Sequence, residues 1–265
     1  MTQVFDGKAY SLMIQQILKS EIDKDRQRGN ELMLVSIQIG ENRQSEIFLS
    51  LKKRYAEKIG VNMEIKKFTG NEKFEEILRF INEVNSDPRV NGVMIQMPIS
   101  DNYNSIDKSA LISAIDPDKD VDGMRSDSRF VAPVVKAVLA VLRELKFTGS
   151  IVGVVGVKGF VGRKVARELE KLGVNVMGVD LGDDLNAKLI DCGVVISATG
   201  KANVITGEMV KDGVVLIDVG VPIGDISQGA LEKASFISPV PGGVGPLTIS
   251  YLFENLVEST GRFSE

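Results

Sequence analysis

Two hydrophobic periods alternate along the chain, one helical and one extended. Tyr10, Met13, Ile14, Ile17 and Leu18 recur at the spacing of one helix face, so residues 10–18 are expected to form an amphipathic helix with that stripe buried. Residues 32–39 are almost continuously apolar and predict a buried strand that ends at Gly40. A helix over 46–59 stopped by Gly60, a strand over 62–68 and a helix marked by Phe74, Ile77, Leu78 and Ile81 come next. A buried strand over 92–97, ending at Pro98, closes this series. Residues 101–128 are polar and predict loops with a short helix around 109–115.

A second series starts after a helix predicted for 133–145. Strands are expected over 150–155, 174–179, 193–198 and 214–219, with a helix over 162–172 between the first two. Strand and helix in alternation imply parallel pairing with helices on the sheet faces, and hence an α/β fold of two domains. The first is an N-terminal three-layer α/β domain over 1–135 and the second a Rossmann-like dinucleotide-binding domain over 136–246. The C-terminal segment 247–265, with a helix over 247–257, is expected to return to the first domain and complete it. Ligands of such sheets bind beyond the carboxyl ends of the strands, which directs attention to a cleft between the two series.

Composition narrows the class of protein. With 265 residues, 43% of them hydrophobic and 26% charged, the chain can bury a substantial core. Its net charge of −4 gives no electrostatic reason to expect nucleic acid or an anionic membrane as partner. No apolar stretch approaches the ~18 residues of a membrane span, and the N-terminus lacks the pattern of a secretory signal. A single cysteine, Cys192, agrees with a reducing compartment, and the expected location is the cytoplasm. Histidine is absent, which removes imidazole-based catalysis and, with one cysteine, leaves only carboxylates for a zinc site, so no metal is expected. Proton transfer then falls to lysine, carboxylates, tyrosine or the lone thiol.

Four places carry candidate chemistry. Gly156-Val157-Lys158-Gly159-Phe160-Val161-Gly162 follows an apolar strand, and its glycines suit either a strand-to-helix packing turn or a pyrophosphate held at a helix N-terminus. Asp180, at the end of the next strand, stands where an acid accepts hydrogen bonds from a ribose. On the helix over 46–59, Phe48, Leu51, Tyr55 and Ile59 share a face, and Lys52 falls inside it. Such a lysine is either a snorkelling side chain with a wet head or an amine whose pKa is lowered by desolvation. Gln96 ends a buried strand, where an amide needs a partner and a lysine amine would serve, while Asp122 sits in a polar turn. Finally, Ser238 to Thr248 reads S-P-V-P-G-G-V-G-P-L-T, in which Gly242, Gly243 and Gly245 permit close approach to a ligand and Pro246 suits the first position of a helix.

This last segment resembles the P-V-P-G-G-V-G-P-M-T signature of the bifunctional methylenetetrahydrofolate dehydrogenase/methenyltetrahydrofolate cyclohydrolase family. Residues 40–52, the strand Val93-Met94-Ile95-Gln96-Met97-Pro98, the loop Lys119-Asp120-Val121-Asp122-Gly123, and Ala198-Thr199-Gly200 and Asp218-Val219-Gly220 are similar to further family motifs. The resemblance implies that the first domain binds folate and is catalytic, with Lys52 as the proton-transfer residue of the cyclohydrolase step, Gln96 tuning it and Asp122 anchoring the pterin. Ser45, Phe48, Pro241, Gly242, Gly243 and Pro246 would then line the substrate. Gly156, Val157, Lys158, Gly159, Gly162, Asp180, Thr199, Gly200 and Val221 would line the cofactor. A homodimer through the cofactor domain is also implied.

Three departures from the family pattern matter. Phe48 stands in place of a tyrosine, which keeps ring stacking and loses a hydroxyl. The family's P-C-T-P segment corresponds only to Phe130-Val131-Ala132-Pro133. In the glycine loop an arginine is replaced at Val157, with Lys158 next to it able to supply charge but not a planar fork. Asp180 and Val157 point to NAD while Lys158 and Arg163 can meet a 2′-phosphate. NADP is the expected cofactor, with NAD open. The expected reactions are oxidation of 5,10-methylenetetrahydrofolate and hydrolysis of the methenyl product to 10-formyltetrahydrofolate. A dehydrogenase lacking hydrolysis and a non-enzymatic dinucleotide sensor are the rivals.

Overall fold

The computed structural model describes residues 2–146 and 149–261. In chain order the elements are β1 (Gln3–Val4), α1 (Gly7–Gln27), β2 (Met33–Ile39), α2 (Arg43–Ile59), β3 (Asn62–Phe68), α3 (Phe74–Ser86), β4 (Gly92–Gln96), α4 (Ser105–Ser113) and α5 (Pro133–Glu144). After them come β5 (Val152–Val155), α6 (Phe160–Lys171), β6 (Val176–Val179), α7 (Leu185–Leu189), β7 (Val194–Ser197), β8 (Val215–Asp218), α8 (Gln228–Leu231), β9 (Phe236–Ser238) and α9 (Val244–Glu258). They form two compact units, one of residues 2–11 with 134–248, the other of residues 12–133 with the chain from 249 on.

The unit built on residues 12–133 is a three-stranded parallel sheet in the order β3-β2-β4. Its central strand is buried on both faces. Leu34 packs with Leu18 and Ile22 of α1, Leu49, Tyr55 and Ile59 of α2, and Leu252, Phe253 and Leu256 of α9. Val35, Ile37 and Ile39 point the other way, against Ile77 and Ile81 of α3 and Leu111 of α4. The result is the expected three-layer arrangement, and the C-terminal helix does complete it.

The other unit is a six-stranded, all-parallel sheet in the order β1-β9-β8-β7-β5-β6, a doubly wound pattern. Here the domain expectation needs correcting. Residues 2–11, expected in the first domain, belong to this unit: β1 pairs with β9, with Phe5 against Phe236 at 6.2 Å between ring centroids. Strands of two and three residues, as β1 and β9 are, have no period to read.

Two helix faces are also rotated from expectation. Met13 and Ile17 of α1 are 53% and 59% exposed, because the buried stripe runs through Ser11, Leu18, Ile22 and Asp25. Leu51 of α2 is 39% exposed, and the face that packs is Ser45, Leu49, Lys52, Tyr55, Ala56 and Ile59. Pro246 is the third residue of α9 rather than its first. The preceding turn closes one step earlier, with Gly243 N donating to the Pro239 carbonyl at 2.8 Å, and a proline anywhere in the first turn lacks only an N–H that has no helical partner.

Candidate active site

α2 begins where Asn42 Oδ1 accepts from Ser45 N at 2.9 Å and ends at Gly60 in a left-handed conformation, φ +82. These caps fix which residues face the sheet. Lys52 lands on the buried face at 7% exposure, so its head is not in water. Its Nζ donates to Gln96 Oε1 at 3.0 Å and lies 3.6 Å from Met94 Sδ.

The Gln96 amide is oriented from behind. Its Nε2 donates to the Met97 carbonyl at 2.9 Å, and Ser45 Oγ donates to the same carbonyl at 3.0 Å. Only the oxygen end of the amide can then face Lys52, and that oxygen only accepts. The family resemblance implies that Ser45 lines the substrate, and the structure shows its hydroxyl proton spent on Met97. Burial pushes the Lys52 pKa down, opposed by the charge of Asp122. The buried amine therefore tends toward its neutral, proton-accepting form.

Asp122 is half-buried on the turn after Lys119, and that turn is held by residues the sequence reading passed over. Asp120, fully buried, accepts from Met124 N at 3.1 Å and Arg125 N at 2.8 Å, and burial raises its pKa to about 6. Lys119 Nζ donates to the carbonyls of Val84, Asn85 and Asp87 at the end of α3. Asn255 of α9 donates from Nδ2 to the Val121 and Val131 carbonyls at 2.8 and 2.9 Å. Asp120 of the K-D-V-D-G run is thus a buried staple that holds the turn carrying Asp122. Phe48, one turn before Lys52, is half-buried, and Tyr55 stacks on Phe253 with centroids 5.2 Å apart.

In the six-stranded sheet, the glycine loop leads from β5 into α6. Gly156 has φ +94, and a Cβ there would stand 2.7 Å from the Ala198 carbonyl oxygen, while a Cβ on Gly162 would run into the Gly156 carbonyl. Gly159 caps α6 with no side-chain hydrogen bond, which leaves the first-turn N–H groups of a 12-residue helix to an anion. This cradle fits a dinucleotide pyrophosphate. Val157 packs beside Gly178, and Val221 is exposed on the loop after β8.

Asp180 is already engaged. Its Oδ2 accepts from Lys158 N and its Oδ1 from Leu181 N, both at 2.9 Å, and the Lys158 bond is the main reason its pKa is lowered. Arg163 Nη2 donates to the Lys158 carbonyl at 2.9 Å. Thr199 uses both N–H and hydroxyl on Asp225, at 2.7 and 2.9 Å. Pro241, Gly242 (φ +110), Gly243 and Pro246 lie in and after the turn that leaves β9, and the Lys8 side chain borders Gly242.

One unit is a parallel sheet with a glycine-rich anion cradle and the other buries a lysine against an amide, and the first of these features marks the class as a dinucleotide-dependent enzyme. Its family follows from comparison with known proteins. Residues 5–122 match the tetrahydrofolate dehydrogenase/cyclohydrolase catalytic domain and residues 129–263 the NAD(P)-binding domain of the same family. The chain belongs to the tetrahydrofolate dehydrogenase/cyclohydrolase family. The bifunctional protein FolD of Lactobacillus helveticus is 36% identical over 281 residues, covering 99% of each chain. Among solved structures, FolD of Campylobacter jejuni superposes with a TM-score of 0.92 at 29% identity, over 99% of this chain and 100% of that one. The Trypanosoma brucei enzyme, complexed with NADP cofactor and inhibitor, gives 0.91 at 28% identity over 98% of each.

Proposed function

We propose that this protein oxidises 5,10-methylenetetrahydrofolate with NADP and hydrolyses the methenyl product to 10-formyltetrahydrofolate, with Lys52 as the proton-transfer residue of the second step. The observation that carries the reading is the buried Lys52 amine bonded to Gln96 at 3.0 Å. A lysine kept from water in this way costs stability and is more economically explained by chemistry than by packing. The glycine loop and the first turn of α6 would hold the pyrophosphate of a bound dinucleotide, which would supply the acceptor for a hydride from the one-carbon unit. In hydrolysis, water adds through its oxygen to the methenyl carbon as the C=N π pair returns to nitrogen, and Lys52 Nζ takes the proton that the water releases. The bond from that carbon to N5 then breaks, N5 takes the proton back from Lys52, and the remaining hydroxyl proton leaves to solvent as the formyl C=O forms. Gln96 Oε1 occupies one N–H of that amine and so turns its lone pair elsewhere. Asp122 moderates the fall in the Lys52 pKa, and its place on the stapled turn suits an anchor for the pterin.

Phe48 supports a second reading, a dehydrogenase with weak hydrolysis, because the family's tyrosine hydroxyl is missing. Restoring it tests the point. Phe48→Tyr adds one atom to a half-buried ring and is expected to fold normally and to raise hydrolysis relative to oxidation. A ratio of the two rates that does not move would show the hydroxyl to be irrelevant here.

The choice of NADP rests on Lys158, whose exposed side chain lies close enough to Asp180 to help keep that acid ionised. A 2′-phosphate would compete with Asp180 for this charge. Lys158→Ala is expected to weaken NADP binding by about 1–3 kcal/mol, the worth of a charge-assisted hydrogen bond, and to leave NAD binding nearly unchanged. Titration with each dinucleotide decides it: equal losses, or a wild type that prefers NAD, would reverse the assignment.

The reading includes a homodimer through the dinucleotide unit. Its support is β6, an edge strand whose Met177 and Gly178 are exposed and whose outer backbone groups are open to another strand. A cytoplasmic location belongs to the same reading, and among the described residues no helix is long and apolar enough to cross a membrane.

A further inference from the structure

Asp225, on the loop after β8, is fully buried, and N–H and O–H donors converge on one of its two oxygens. Oδ2 accepts from Ser197 Oγ at 2.9 Å, Thr199 N at 2.7 Å, Thr199 Oγ1 at 2.9 Å and Gly200 N at 3.3 Å. The other oxygen, Oδ1, is buried and has no hydrogen-bond partner among the described residues, and a Cβ on Gly220 would collide with it. A second buried acid, Asp218, accepts from Gly220 N, Asp225 N and Ile226 N, and the charge of Asp225 helps burial raise its pKa. Two neighbouring buried carboxylates, one with an unsatisfied oxygen, are costly. A loop that needed only to be closed would be closed more cheaply by a neutral side chain.

The arrangement does more than close a loop. In a trans peptide the N–H and C=O point in opposite directions, so drawing Thr199 N toward Asp225 turns the Ala198 carbonyl the other way. That carbonyl faces Gly156 of the glycine loop, so closely that a Cβ at Gly156 would stand 2.7 Å from it. In the sheet order β8-β7-β5, one carboxylate after β8 thus sets the turn after β7 against the loop after β5. These are the carboxyl ends of three adjacent parallel strands, where such sheets bind ligands. The Thr199 hydroxyl donates to Asp225 and accepts from Lys201 N at 3.1 Å, so it has no proton left for a cofactor.

We infer that Asp225 is the positioning residue of the dinucleotide site: its carboxylate fixes the Thr199–Gly200 turn at the distance from the glycine loop that the dinucleotide requires. This rests on the dinucleotide reading of the unit. Asp225→Asn keeps the volume but puts an amide NH₂ either at the bare Oδ1 position or against the converging donors, so the turn relaxes.

The experiment measures NADPH binding by nicotinamide fluorescence, together with initial rates of oxidation and of methenyl hydrolysis, on the wild type and on Asp225→Asn. Expected are a rise of about tenfold or more in the Kd for NADPH and the KM for NADP, with kcat at saturating NADP and methenyl hydrolysis both preserved. A folded variant with wild-type affinity would overturn the inference. So would a variant that loses hydrolysis and thermal stability together with binding, since that is the mark of a scaffold role alone. Should Asp225→Asn fail to accumulate, Ser197→Ala removes one donor beneath the turn; it is expected to raise the same KM several-fold, and no change would again overturn the inference. Absence of binding by the wild type to NADPH or NADH would instead sink the dinucleotide reading, and is distinguishable because it precedes any substitution.

Discussion

Lys52→Met is expected to abolish methenyl hydrolysis while leaving dinucleotide binding intact. The substitution keeps an unbranched apolar stem within the α2 face and removes the amine that meets Gln96 Oε1 at 3.0 Å. Loss of one positioned proton-transfer group costs roughly 10²–10⁴ in rate. Lys53 and Arg54 are exposed, so neither neighbour on the helix can replace it from the buried face. Decay of methenyltetrahydrofolate absorbance measures the loss, and undiminished hydrolysis would remove Lys52 from the mechanism.

The same variant carries a stability signature with a definite sign. A buried lysine with its pKa lowered from 10.5 binds fewer protons in the folded state than in the unfolded state at any pH between the two values. Stability of the wild type therefore rises with pH through that window and falls as the solution is acidified from about 10.5 toward the folded pKa. Methionine does not titrate. Against it stands a pH-independent cost, an unpaired Gln96 oxygen. The difference in melting temperature between variant and wild type should thus move in favour of methionine as pH falls from 10.5 to 7. A difference independent of pH would mean that the amine stays protonated in the fold.

How far this chemistry was legible in the sequence depends on the periods that carry it. Lys52 and Gln96 were readable because each breaks a strong local pattern, a cation within a helical stripe and an amide at the end of a buried strand. Once both are placed on one sheet face, they meet. The stripe itself was read too generously: Leu51 fits the spacing as well as Leu49 does, and only packing against β2 decides which is buried. Asp120 and Asp225 were invisible for the opposite reason. Each lies in a short polar run next to glycine, K-D-V-D-G and I-G-D, where a solvated turn is the ordinary expectation. At Asp120 the donors are N–H groups four and five residues on, at Asp225 they are N–H and O–H groups up to 28 residues away, and no hydrophobic period encodes either. Asp180 was found by its position at the end of a strand, yet its hydrogen bond to Lys158 N depends on the path of the glycine loop.

Gly156→Ala is expected to remove most dinucleotide binding without touching hydrolysis. At φ +94 any residue with a Cβ is strained, at about 1–2 kcal/mol for leaving the right-handed regions. The added carbon would also stand 2.7 Å from the Ala198 oxygen and 3.0 Å from its carbon, both backbone atoms held in place by the pull of Asp225 on Thr199 N. Overpacking of this kind costs about 1–3 kcal/mol. Together these give about 2–5 kcal/mol, and because the strain is relieved by opening the loop that cradles the ligand, much of it is taken from binding. A fall of about 10² in affinity for NADP and NAD alike follows from 1.4 kcal/mol per tenfold. Gly200→Ala separates the two contributions. Gly200 has φ +64 but no atom within 4 Å of its Cβ position, so it carries the backbone strain without the collision. At about 1–2 kcal/mol it should lose about 5- to 30-fold at most. Equal losses at the two glycines would show that loop conformation alone governs binding, and retention of full affinity by Gly156→Ala would mean that the turns after β5 and β7 are free to part.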